Sequence, residues 1–413
     1  MMRTSLLTTC ILGGIFAVAC SSSRDSGFGD GSSSGGAAAS QGPFGGGDGG
    51  GTTSSGKPCI PDPANYDVPG NNCDDDGDGK IDNPPTCDDG LAVTGDAEAV
   101  AKAIGICTKA SDKGYGLVSA TFTRGYNRND APHDEQHGIL PKFGNVIKPR
   151  EGKSLAVLST GFGREYDGNG NEPFGGVVDD DFFGPTYNGK DWYNFGRSTN
   201  NKPGNGTPPP GFPKAASGCK QLNVVNDVIN LKLELKAPPN ASGIRFDFNF
   251  YSGEWPAYIC SPFNDGFIAY LTAKGFNNGQ ADNVSFDKDN NPVSVNNGFF
   301  DRCTPGSQTG CAPDSQNRAT AACPGGVAEL GGTGFGIDGQ WCSPYPAGSN
   351  AVTTNGGATG WLTSQAPVQA GETFTLELMI WDTGDAVLDS SVLIDNFTWA
   401  EGEVTTSTDR PPK

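Results

Sequence analysis

The chain is poor in the residues that most enzymes use for chemistry. It has two histidines and three methionines in 413 residues, and 35% of it is apolar. The two histidines, His133 and His137, sit in His-Asp-Glu-Gln-His, where Asp134 occupies the place of a zinc-protease glutamate. The Asn, Asp, Pro and Gly around them do not read as a helix, so the spacing does not bring both imidazoles to one face. Basic residues are also scarce. Twenty-eight Lys and Arg against 47 Asp and Glu give a formal net charge of −19, which argues against nucleic acid as a partner and favours cations. No apolar run reaches the roughly 20 residues of a membrane span. Tight Cys-x-x-Cys pairs are absent, which removes the usual zinc frameworks. Gly152-Lys153-Ser154 lacks the first glycine of a phosphate loop, and Gly334-x-Gly336-x-x-Gly339 runs into a cysteine-rich loop instead of a helix. The Gly31-Ser32-Ser33-Ser34-Gly35 run lies in low-complexity sequence, with no strand before it to form a nucleophile elbow.

What is present begins at the N-terminus. Arg3, the apolar stretch Leu6 to Val18, and Ala17-Val18-Ala19-Cys20 form the pattern of a bacterial lipoprotein signal. This predicts a signal peptide over residues 1–19 and a lipid on Cys20 that makes the membrane a partner. Ser21 and Ser22 favour the outer membrane or cell surface. Residues 20–57, rich in Gly, Ser and Ala, cannot bury enough apolar surface to offset ordering, so they read as a disordered tether. Such a coil would reach roughly 35 Å. Of the 12 cysteines, Cys10 leaves with the signal. Cys59, Cys73, Cys87 and Cys107 form one group, and Cys219, Cys260, Cys303, Cys311, Cys323 and Cys342 another. Both groups are even, which predicts structural disulfides in an exported protein without selecting their pairing.

The body of the chain is dominated by period-two alternation. Ile229, Leu231, Leu233 and Leu235 alternate with polar residues, as do Ile244, Phe246, Phe248 and Phe250, and Phe374, Leu376, Leu378 and Ile380. Residues 155–158, 267–271 and 391–399 are shorter strand candidates. One short helix is expected over Ala97 to Ile104, with Asp96 as N-cap and Gly105 as its stop. Strands without intervening helical periods predict an all-β fold, an antiparallel jelly-roll-like β-sandwich with long disulfide-bonded loops. The expected organisation is a Cys/Asp-rich module over 58–92, the sandwich over 93–400 and a frayed polar tail over 401–413.

The densest chemistry lies in Cys73-Asp74-Asp75-Asp76-Gly77-Asp78-Gly79-Lys80-Ile81-Asp82. Calcium takes six to eight hard oxygen ligands around a tight turn. Asp74, Asp76, Asp78 and Asp82 occupy loop positions suited to that shell, Gly79 permits the turn, and Lys80 offers its carbonyl. Pro85 stands where an EF-hand carries its bidentate glutamate, so Asp88 or Asp89 is the expected completing ligand. The competing reading is a solvated acidic turn between Cys73 and Cys87. A second candidate cation site is the turn carrying Asp382, Asp385 and Asp389, with Asp395 beyond it. Glu254, Trp255, Tyr258 and Asp265 form a candidate ligand platform, the alternative being burial of the aromatics against a loop.

Residues 246–271, FDFNFYSGEWPAYICSPFNDGFIAYL, resemble the signature of the choice-of-anchor L family: an aromatic strand, Ser-x-Glu-Tyr, then Phe-Asn-Asp before another strand. Ser252, Glu254, Phe263, Asn264 and Asp265 match, while Trp255 replaces the tyrosine and Cys260 is extra. Leu158-Ser159-Thr160-Gly161 resembles an upstream block, and Asp382 to Phe397 resembles the closing strands of such domains. The resemblance spans about residues 93–400 and implies a β-rich, surface-displayed bacterial domain with no catalytic residues to carry over. The resulting expectation is a lipid-anchored surface-binding or adhesion protein with a calcium-stabilised loop and a glycan or surface-protein ligand. A passive envelope component and an extracellular polysaccharide hydrolase are the alternatives.

Overall fold

The computed structural model describes residues 58–164, 206–312, 314–316, 319–335, 356–386 and 388–411. The signal, the tether, Cys20 and Cys342 lie outside the described residues, as does most of the long loop after residue 164. Nine principal strands carry the fold: β1 (Gly116–Thr123), β2 (His137–Leu140), β3 (Leu155–Ser159), β4 (Val225–Lys236), β5 (Gly243–Ser252), β6 (Gly266–Thr272), β7 (Leu362–Pro367), β8 (Thr373–Thr383) and β9 (Ser390–Ala400). One sheet has the order β1-β4-β8-β6, extended at β6 by Asp282–Asn283 and Val293–Ser294. The other runs β7-β5-β9-β3-β2, with Ser407–Asp409 outside β7. All the pairings within these two sheets are antiparallel.

The alternating residues meet between the sheets. Ile229, Leu231, Leu233 and Leu235 of β4 share one core with Phe246, Phe248 and Phe250 of β5, with Phe267 and Leu271 of β6, and with the inward residues of β8 and β9. Phe248 packs 5.1 Å from Phe267 across the sheets, ring centre to centre. Helix α1 (Ala97–Ala103) lies against β1, β2 and β3. Its N-cap Asp96 accepts a hydrogen bond from Ala99 N, and Val100, Ala101 and Ala103 are fully buried. The helix therefore covers the side on which β1 and β2 are the outer strands of their sheets.

Three features depart from the sequence-based expectation. First, the sheets are covered on both faces. Tyr251, Leu155, Val157 and Leu393 pack outward against Phe143, Leu330 and Phe335, while Met379, Trp381, Val228 and Tyr270 face outward under Tyr126 and Phe212. Loops supply this second layer. Second, β7 has no visible apolar period, because one of its inward residues is Ser364. Its hydroxyl bonds Ser285 Oγ at 2.9 Å and Thr408 Oγ1 at 2.8 Å, so a buried polar chain stands where alternation would have signalled a strand. Third, residues 407–410 do not fray. Ser407–Asp409 pairs with β7, and Arg410 donates to the Thr359 and Phe299 carbonyls, both at 2.6 Å.

Residues 58–92 dock on the sandwich. Tyr66 and Val68 join the central core, and Asn240 clamps Tyr66 by accepting from its N–H and donating to its carbonyl. Disulfides join Cys59 to Cys73, Cys87 to Cys107, Cys219 to Cys260, and Cys303 to Cys323, and Cys311 is also disulfide-bonded. Cys73 and Cys87 do not bracket the acidic loop as a pair. The second bridge instead ties the loop's exit to the end of α1.

His133 and His137 do not converge on a site. His133 caps the short turn Asp134–Gln136, whereas His137 is buried, stacks on Phe122 and lies 3.1 Å from the Gly95 carbonyl through Nε2.

Two measurements follow from this packing. Phe248→Ala should destabilise the protein by about 3–5 kcal/mol in urea unfolding, since it empties the centre of the inter-sheet core. Burial, helped by the Arg164 guanidinium and opposed by the Gly95 carbonyl, Asp134 and Asp96, pushes His137 down to about 4. An unfolded histidine titrates near pH 6.5, so between these values the unfolded state binds more protons. The His137 contribution should be complete above about pH 6.5 and fall by up to about 3 kcal/mol as pH drops towards 4. His137→Phe should flatten that part of the stability profile, and an unchanged slope would assign it to other groups.

Candidate functional site

Two groups of carboxylates stand out, one at the surface and one buried. In the surface loop Asp74, Asp76 and Asp78 each place a carboxylate oxygen within 4.8 Å of the others, the one such group among the described residues. Backbone donors fix them. Asp78 N donates to Asp74 Oδ1 (3.0 Å) and Asp76 Oδ1 (3.2 Å), Gly79 N to Asp74 Oδ2 (3.0 Å), and Lys80 N to Asp78 Oδ1 (2.8 Å). Gly79 has φ +90°, a left-handed conformation that a side chain would strain. The Asn83 amide, followed by the Lys80 N–H, holds the Asp78 carboxyl below its ordinary range.

The remaining predicted carboxylate ligands are engaged elsewhere. Asp82 Oδ1 accepts from Asn71 N (3.0 Å) and Asn72 N (3.1 Å), so that carboxylate ties the loop to its own base. The Lys80 ammonium lies 3.4 Å from Asp78. Asp88 is buried and accepts from the N–H groups of Lys153 and Ser154, and Asp89 pairs with the Lys153 ammonium at 2.6 Å. Asp75, between the converging aspartates, turns inward and accepts from Val68 N and Asn71 Nδ2. The loop thus alternates, with Asp74, Asp76 and Asp78 facing one another and Asp75 anchoring it from behind.

The second group occupies one end of the sandwich, where chain segments from both sheets meet. Asp382 ends β8, Asp265 precedes β6 and Asp227 lies in β4, all in one sheet. Glu254 follows β5 and Asp389 precedes β9 in the other. All five side chains are 0–2% exposed. Asp265 accepts from Thr383 N (3.1 Å) and from Ser390 Oγ (2.8 Å), and its own N–H donates to Glu254 Oε2 (3.3 Å), so it bridges the sheets. Burial, more than any neighbour, raises Glu254 and Asp382 well above the ordinary carboxylate range and Asp265 to about 7. Asp227 was not visible as a site residue in the sequence. It sits with φ +50° where the β4–β8 register slips between Ile380 and Asp382, and such a bulge re-aims a side chain.

The candidate ligand platform is not an exposed surface. Trp255 is buried, stacks on Phe300 with ring centres 4.9 Å apart and packs against Cys303 and Cys323. Tyr258 is half-buried against Phe263, while Glu254 and Asp265 belong to the buried acidic end. Asp385 lies nearby on the surface side of the turn, its carbonyl accepting from Asn226 Nδ2. Asp395 stands apart from Asp382. It accepts from Arg150 N (2.5 Å) and Asn396 N (2.6 Å), and burial raises it to about 7. A separate open cleft of about 320 Å³ is lined by Phe212, Phe276, Phe286, Lys214, Asn277 and Asn283, among others.

Among the described residues no helix is long and apolar enough to cross a membrane. No curated protein and no solved structure matches the chain. The family model of the choice-of-anchor L domain does match, over residues 214–398. That span begins later than the resemblance read from the sequence. It covers β4 to β9, including the acidic end except for the Ser159–Gly161 segment, and leaves α1 and β1 to β3 outside it. Disulfides and this domain together are consistent with an exported, surface-associated protein. Residues 214–398 of this protein are thus similar to the choice-of-anchor L domain family.

Proposed function

We propose that the protein is a lipid-anchored surface-binding protein, held by Cys20, whose acidic loop binds calcium and whose ligand is a glycan or a surface protein. The observation that carries the metal reading is the convergence of Asp74, Asp76 and Asp78, held by a set of backbone donors, with the exposed Lys80 ammonium touching only Asp78, at 3.4 Å. Three carboxylates supply part of a calcium shell, and carbonyl and water oxygens complete it. Sites of this openness in extracellular modules bind calcium with Kd on the order of 0.1–1 mM.

Binding without catalysis is the reading favoured for the rest. Glu254 and Asp265, the acids of the candidate platform, are buried at 2% and 1% exposure, which supports a binding protein over a hydrolase at that end. The cleft lined by Phe212, Phe276 and Phe286 combines aromatic side chains with the exposed Asn277 amide, a lining suited to a sugar ring.

Calorimetric calcium titration of the chain with Cys20→Ser should give saturable binding that the double substitution Asp76→Ala, Asp78→Ala weakens at least tenfold. Unchanged binding would remove the loop from the reading. On a glycan array the same protein should bind a restricted set of sugars, and Phe286→Ala should reduce that signal severalfold. An array without hits would leave a protein ligand or a passive envelope role as the better account.

A further inference from the structure

We propose that the buried acidic end of the sandwich is a second cation site, in which a calcium-class ion bridges the two sheets with Asp382 as its central ligand. The proposal does not depend on the 74–78 loop. Asp382 is fully buried, and neither of its carboxylate oxygens has a hydrogen-bond partner. The Thr160 hydroxyl and the Asp265 carboxyl both act on it. Neither supplies a counter-charge: the Thr160 hydroxyl accepts from Ser390 N at 2.9 Å and lies 3.4 Å from the Ser390 carbonyl to which it can donate, and two carboxylates can bond only by sharing a proton. A buried carboxylate left this way is costly unless something neutralises it.

The described acids that act on it cannot do so by charge. Asp265, Asp389 and Asp227 all act on Asp382 with the same sign. Among the described residues no Lys, Arg or His forms an ion pair with Asp382, Asp265 or Glu254. The contrast within this molecule is Asp247, equally buried, which faces the Arg150 guanidinium at 3.1 Å. The backbone also brings acids to this end. The β4 bulge turns Asp227 into it, and Gly161 is required because a Cβ there would stand 2.1 Å from Asp389 Oδ2.

The chemistry selects the ion. The donors assembled here are carboxylate and hydroxyl oxygens, with no thiolate or imidazole among the groups that act on Asp382, which suits a hard cation of the calcium class over zinc. The acids stand wider apart than the surface triad, since no three of them bring their oxygens within 4.8 Å of one another. An ion is what would draw them together. The competing solution is neutralisation by protons, and it makes the opposite prediction about metal.

The test uses the chain carrying Cys20→Ser, Asp76→Ala and Asp78→Ala, so that the surface loop is out of play. After purification in calcium and exhaustive buffer exchange, elemental analysis should find close to one equivalent of calcium, and a chelator should lower Tm by at least 5 °C. Adding Asp382→Asn should abolish both effects. If that variant fails to fold, the parent alone decides: no retained calcium together with a chelator-independent Tm overturns the proposal, as does a retained metal that Asp382→Asn leaves in place. Failure of the loop reading is seen separately, as wild-type and loop-variant proteins that bind equal amounts of calcium.

Discussion

Burial of alternate side chains between two antiparallel sheets is the constraint on which the rest of the molecule depends. Phe246, Phe248 and Phe250 face Phe267 and the inward residues of β4 and β8, and all of them are removed from water. Once that interface forms, register is set, because a slip of one residue would turn the aromatic row outward. Everything of functional interest hangs from strand ends whose positions follow from it. The acids of the buried cluster lie far apart in the chain, from Asp227 to Asp389, and meet because antiparallel strands of both sheets deliver their ends to one place.

The second organising feature is how an acidic chain handles its charge. Most carboxylates with a structural role are satisfied by the backbone. Asp88 caps the Lys153–Ser154 turn, Asp395 fastens the 150–151 segment, and Asp82 ties Asn71 and Asn72 to the end of the acidic loop. Each replaces hydration with oriented N–H donors, which suits a fold with long loops and many backbone groups to satisfy. Asp382 departs from this rule, having no backbone N–H on its oxygens and no ion-paired counter-charge among the described residues. Covering loops complete the picture. They bury the outer faces of β5 and β8, and the disulfides hold chain that has few apolar residues of its own.

Much of the architecture was legible because it rests on strong alternation. β4, β5 and β8 were visible from four apolar residues each at period two, and α1 from the Asp96 cap and the Gly105 stop. β7 was not, since Ser364 faces inward and is satisfied by Ser285 and Thr408, which no local pattern announces. β1 was masked by a register shift between Leu117 and Ser119. In the acidic loop the residues that converge, Asp74, Asp76 and Asp78, were those with ligand spacing. Asp82 had the spacing too, but the turn at Asn71 and Asn72 competes for its oxygens. Glu254 and Asp265 were picked out together with Trp255, yet as a surface group. Their burial depends on Ser390, Thr383 and the Cys303–Cys323 segment, none of them near in sequence.

The sequence by itself therefore determined the strands with one apolar face, the short capped helix, the acidity, the even cysteine groups and the carboxylate spacing of the 74–78 loop. These are properties of neighbouring residues, set by backbone geometry and side-chain period. Only the tertiary structure decided which cysteines pair, which faces the loops cover, that the last strand closes on β7, and that acids from both sheets share one buried end. Those outcomes depend on contacts between residues distant in the chain. Desolvation at that end is collective as well, since its buried carboxylates come from strands and strand ends of both sheets.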